Sequence, residues 1–146
     1  MENNIYLINL GIGLGTLAVA ISVAAITYQQ YRVNRLRLRH ELFERRFAVF
    51  RTAQIYLSKI MQEGRLNDET FRTEYPKFMD AWQRSQFLFG KDIGDYLDSV
   101  RRRSLEMRDL GIEKKHNEAH KHLTWLCDQT PKLFDRFGPY LCFPVK

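Results

Sequence analysis

Residues 5–28 read IYLINLGIGLGTLAVAISVAAITY, twenty-four positions without one charged side chain. A helix of that length spans about 36 Å, more than the roughly 30 Å hydrocarbon core of a bilayer, so the stretch is long enough to cross with some tilt. Tyr6 and Tyr28 stand near its ends, where a phenol suits the headgroup layer. A cleaved signal peptide would need a basic leader and a shorter apolar run. The leader here, Met1-Glu2-Asn3-Asn4, has an acid and no basic side chain. Residues 5–28 are therefore expected to remain as a single transmembrane anchor.

The flanks set the expected direction. Arg32, Arg35, Arg37, Arg39, Arg45 and Arg46 follow the run, and no Lys or Arg precedes it. Basic residues stay on the cytoplasmic side, so the N-terminus is expected outside and the rest of the chain in the cytoplasm. The chain thus divides into a tail and transmembrane helix (1–28), a basic juxtamembrane stalk (29–46) and a cytoplasmic helical domain (47–146). The stalk carries six arginines against Glu41 and Glu44, a net +4 of the chain's +6. Those six arginines are candidate contacts for anionic lipid, each adding about 1 kcal/mol of attraction near a charged leaflet; the plainer reading is a topology signal alone.

Within the run, a helical advance of 100° per residue sorts the small side chains into two nearly opposite stripes. Gly11, Gly15, Ala18, Ser22 and Ala25 form one. Asn9, Gly13, Thr16, Ala20, Ala24 and Thr27 form the other. Small residues let helix backbones approach closely in lipid, and Gly11-x-x-x-Gly15 has the spacing of a known packing motif. A dimer needs one such face and a ring needs two. Homo-oligomerisation through this helix is the expectation; glycine and alanine are also simply common in membrane helices.

Beyond the run every element reads as helix. Leu36, Phe43, Phe47, Phe50, Leu57 and Met61 keep helical spacing, and neither Pro nor Gly occurs between Gly15 and Gly64. The first helix is expected to continue from the apolar run to Gly64 in a left-handed cap, unless Val33-Asn34 interrupts it. Asn67 or Asp68 should cap a second helix that Pro76 kinks or divides. A third should run from Lys91-Asp92 to Gly111. A fourth should run from Glu113 to Phe137, bent at Pro131 and stopped by Gly138-Pro139, with Tyr140-Leu141-Cys142-Phe143 folding back. The fold class is all-α: an N-terminal transmembrane helix continuous with an antiparallel bundle of about four helices.

No side-chain constellation in the sequence demands chemistry. Cys127 and Cys142 lack metal-ligand spacing and read as free thiols. His116 and His120 share a helix face, but a metal needs a third ligand and His122 lies off that face. Arg101-Arg102-Arg103 spreads over about 200° of a helix, too wide for one patch. Nucleic-acid binding would want exposed aromatics interleaved with the basic residues, whereas the aromatics here follow the core face. Arg35-x-x-x-x-His40 is similar to the loose Arg-His spacing of HEPN ribonucleases, which are also all-helical; some small CRISPR-associated membrane proteins are described as HEPN-like. That spacing arises easily in an arginine-rich stretch. No cofactor is expected.

Phe43-Glu44-Arg45-Arg46-Phe47 and the segment Phe87 to Leu97, with Arg101-Arg102-Arg103, resemble a group of small uncharacterised bacterial proteins that commonly have one N-terminal membrane helix. The resemblance implies a bacterial source and lends no activity. The leading expectation is a membrane-anchored, non-enzymatic interaction module that self-associates or holds a cytoplasmic protein. The alternatives are an oligomeric membrane-permeabilising effector in antiphage defence and, last, a HEPN-like ribonuclease.

Overall fold

The computed structural model describes the backbone of residues 2–142 and the side chains of residues 13–142. Asn9 and Gly11, assigned above to the small-residue stripes, have side-chain positions outside the described residues, as does Phe143 in the expected apolar tail. The described residues form six helices: α1 (Glu2–Glu63), α2 (Asp68–Thr73), α3 (Tyr75–Leu88), α4 (Lys91–Ile112), α5 (His116–Cys127) and α6 (Gln129–Leu141). The chain separates into two compact units, Met1–Glu41 and Leu42–Lys146. Among the described residues no helix is long and apolar enough to cross a membrane. Residues 5–12, the most apolar third of the expected span, lie outside the residues whose side chains are described.

The first helix runs without interruption through Val33-Asn34 and ends at Glu63, with Gly64 at φ +65°. An L-residue in that left-handed position would meet its own carbonyl, which is why glycine ends the helix there. Asn67 is the cap of α2: its side chain accepts a hydrogen bond from the Thr70 amide at 2.7 Å. Thr70, buried, donates its hydroxyl to Glu63 at 3.0 Å, fastening the α1–α2 turn to the end of α1. Pro76 divides the next stretch at Glu74 and then sits in the first turn of α3, where its missing N–H costs nothing.

The last third of the chain departs from its sequence pattern in three places. The α4 helix passes through Gly111 and ends at Ile112, and the left-handed position falls on Lys114 at φ 61°. The Lys114 amide donates to the Gly111 carbonyl and the Lys115 amide to the Leu110 carbonyl, the paired bonds of a Schellman ending. The expected fourth helix is two, separated at Asp128. Pro131 explains the break, because its ring collides with the carbonyl four residues earlier, at Cys127. Gly138-Pro139 does not stop α6, which continues to Leu141. Packing overrides the local preference there: Phe137 is fully buried, and Tyr140 and Leu141 rest against the core.

The core of the second unit gathers Phe50, Ala53, Leu57 and Ile60 of α1 with Phe78, Ile93, Leu97, Val100, Leu126, Leu133 and Phe137. Tyr56, fully buried, stacks on Phe78 at 4.4 Å and donates its hydroxyl to Ser104 at 2.8 Å. Ser104 in turn donates to the Arg101 carbonyl. Tyr96 donates to the Gln129 carbonyl at 3.1 Å. Burial holds both phenols protonated, pushing Tyr56 well above its ordinary value and Tyr96 up to about 12. These hydrogen bonds fix which turn of α1 faces α4 and which end of α4 faces α6.

The strained Lys114 supplies a stability test. Lys114→Gly removes a left-handed side chain from an exposed position, so it should raise unfolding stability by about 0.5–1 kcal/mol in urea titrations of the full chain in detergent. Unchanged or lowered stability would contradict the assigned conformation.

Candidate functional site

Between residues 13 and 28 the chain is helical, uncharged and exposed. Leu14, Leu17 and Ile21 on one side are 60%, 57% and 63% exposed, and Val19, Val23 and Ile26 on the other are 63%, 56% and 55%. Nothing lies within 4 Å of the Cβ positions that Gly13 and Gly15 lack. These glycines belong to the two different stripes, so each stripe offers an open approach for another backbone. The hydroxyls of Ser22 and Thr27 donate to the Ala18 and Val23 carbonyls, both at 2.8 Å. Such bonds satisfy the hydroxyls inside their own helix and leave little polarity to present outward.

The six stalk arginines do not act as one set. Arg32, Arg35, Arg37 and Arg39 are exposed on α1 within the first unit. Arg45 is exposed in the second unit. Arg46 is half-buried and engaged: its Nε donates to the Leu88 carbonyl at 2.9 Å and its Nη1 to the Tyr140 carbonyl at 3.5 Å. Its guanidinium also lies 5.6 Å from the Phe89 ring centre and 5.5 Å from that of Tyr140. One cation thereby serves the carboxyl ends of α3 and α6, where unpaired carbonyls concentrate negative potential. The signal was present in the sequence: Arg46 falls between Phe43 and Phe50 at helical spacing, on the stripe that becomes core.

Tyr140 extends this cluster. Its hydroxyl donates to Asp92 at 2.9 Å, and the neighbouring acid holds the phenol above its ordinary value. A Cβ at Gly90 would come within 2.6 Å of Asp92 Oδ1 and 2.9 Å of the Tyr140 hydroxyl. A side chain at position 90 would push the ends of Asp92 and Tyr140 aside, so close approach rather than its dihedral angles favours glycine there.

The remaining candidates disperse. Arg101 and Arg102 both pair with Asp98, at 2.8 and 3.0 Å. Arg101 lies over Trp82 and Arg103 over Trp125, so the triplet binds its own domain in two directions. Glu106 faces His122 at 3.5 Å, and the buried Nδ1 of His122 makes no hydrogen bond. His116 and His120 are exposed on α5, and no three metal-ligating side chains cluster among the described residues. Arg35 and His40 are both exposed in the first unit. Cys127 is a half-buried free thiol and Cys142 an exposed one.

Compared with known proteins, the chain matches no family model, no curated protein and no solved structure.

Arg46 and the exposed arginines should separate under mutation. Arg46→Gln should cost about 1.5–3 kcal/mol, because it removes a charged hydrogen bond to a helix end. Replacing Arg32, Arg35, Arg37 and Arg39 together by Gln should leave thermal unfolding of the second unit unchanged. Equal losses from both changes would refute the division.

Proposed function

We propose that this chain is a membrane-anchored, non-enzymatic helical module that self-associates at the bacterial inner membrane. Residues 5–28 cross the bilayer with the N-terminus outside, and the helical domain lies in the cytoplasm, where it can hold a protein partner. One observation carries the reading: a charge-free helix keeps its large apolar side chains more than half exposed on both sides. Each would gain about 1.5–3 kcal/mol on leaving water. A helix apolar all round is buried, either in a protein core or in a membrane, and here no core covers it. The arginines after Tyr28 support the direction, and the internally bonded hydroxyls of Ser22 and Thr27 suit a hydrocarbon surrounding.

Self-association rests on the two open glycine faces. Their opposition also favours a second reading, an oligomeric pore that permeabilises the membrane in antiphage defence. Against a water-filled lining, the polar residues of the second stripe are few and the Thr27 hydroxyl is already bonded to its own helix. The anchor reading is therefore preferred.

The mass of the full chain in detergent, with dye release from liposomes on the same preparation, separates the two. The anchor reading expects a small oligomer that does not leak, and loses that oligomer with Gly11→Leu or Gly13→Leu. A ring that releases dye, and ceases to do so with either change, would replace it with the pore.

A further inference from the structure

The second unit contains a cleft of about 420 Å³ between the α1–α2 turn and the ends of α4 and α5. Its volume lies in the range of small-molecule sites. Leu66 and Met107, both buried, and Leu123 give it an apolar interior. Arg65, Asn67, Arg108, His116 and His120 supply its polar lining, with Asp68 the acid among them. His116 is the first residue of α5, and Lys115 before it makes no side-chain cap.

Arg108 decides what the cleft can hold. Its guanidinium carbon lies 4.0 Å from the centre of the Phe71 ring, a cation–π contact that holds the group at the wall of the cleft. Nη2 meets Asp68 Oδ1 at 3.1 Å, while Nε is buried without a hydrogen-bond partner. Nε and Nη2 form one edge of the guanidinium, the edge that a planar or tetrahedral oxyanion grips with two oxygens. Asp68 uses half of that edge, from a side chain that is 79% exposed. An unpartnered buried N–H on a cation costs more than a neutral one, so an anion able to take both donors has an advantage over Asp68. Arg65 adds a second cation to the lining and the imidazoles of His116 and His120 add further ring nitrogens, which favour an anion with more than two oxygens.

We infer that this cleft binds a phosphomonoester carrying a short apolar substituent, with the phosphate on the Nε–Nη2 edge of Arg108 in place of Asp68 and the substituent against Leu66, Met107 and Leu123. The inference concerns the second unit alone and stands or falls independently of the membrane reading. The same head group occurs on soluble esters and on phosphatidic acid, so the test carries both.

The full chain in neutral maltoside micelles is titrated by calorimetry with inorganic phosphate, butyl phosphate and dioctanoyl phosphatidic acid, against empty micelles. Saturable binding of butyl phosphate, at least about tenfold tighter than inorganic phosphate, supports a soluble ester; saturation by the lipid alone supports a lipid source. Arg108→Lys, which keeps the charge and loses the fork, should weaken binding at least about tenfold. Asp68→Asn should strengthen it several-fold, an effect that a merely structural ion pair would not produce. Should Arg108→Lys fail to fold, the Asp68→Asn arm decides. Absence of saturation by either ester, inorganic phosphate binding as tightly as both, or weaker binding by Asp68→Asn would overturn the inference.

Discussion

The second unit is organised by one stripe of α1. Phe50, Ala53, Leu57 and Ile60 repeat at helical spacing, and every one is buried. Ala53 is the small member, and beside it Tyr56 brings a ring and a hydroxyl into the centre. The ring stacks on Phe78 of α3 and the hydroxyl bonds Ser104 of α4. A buried phenol without that acceptor would be expensive, so α1 and α4 have one permitted register. Thr70 on Glu63 and Arg46 on Leu88 then secure the two ends of the same helical segment. Later helices fit a face already fixed in direction and in phase.

Legibility of the fold followed the strength of the local signals. Gly64, Asn67 and Pro76 each act within a turn or two of their own position, and each falls at a boundary as its chemistry demands. The α5–α6 region was less readable, because two signals compete there. Pro131 breaks the chain through a local collision, while Pro139 is overruled by the buried Phe137 and the anchored Tyr140. Apolar periodicity through 119–137 could not separate these cases, since the stripe persists across the break. At the end of α4 the glycine of the sequence and the left-handed position of the structure differ by three residues, because the paired bonds of the helix ending settle on Lys114.

The candidate sites were legible as composition and much less so as geometry. Six stalk arginines look equivalent in sequence, yet Arg46 belongs to the core stripe and spends its donors on helix ends. Three consecutive arginines at 101–103 resolve into ion pairs with Asp98 and stacking on Trp82 and Trp125. The Arg108 fork could not be anticipated at all. It depends on Phe71, Asp68 and α5 meeting at one place, a long-range arrangement that no short spacing encodes.

The proposed anchor gives the exposed apolar helix the one environment that suits it without a protein core, and it sets the direction in which the domain must lie. Cys142, an exposed thiol in the second unit, reports that direction. The deciding measurement is labelling of Cys142 by a membrane-impermeant maleimide in spheroplasts, followed by alkaline carbonate extraction of their membranes. The proposal predicts no labelling until the spheroplasts are lysed, and a chain that sediments with the membranes after carbonate. Labelling of intact spheroplasts, or release of the chain into the carbonate supernatant, would contradict it.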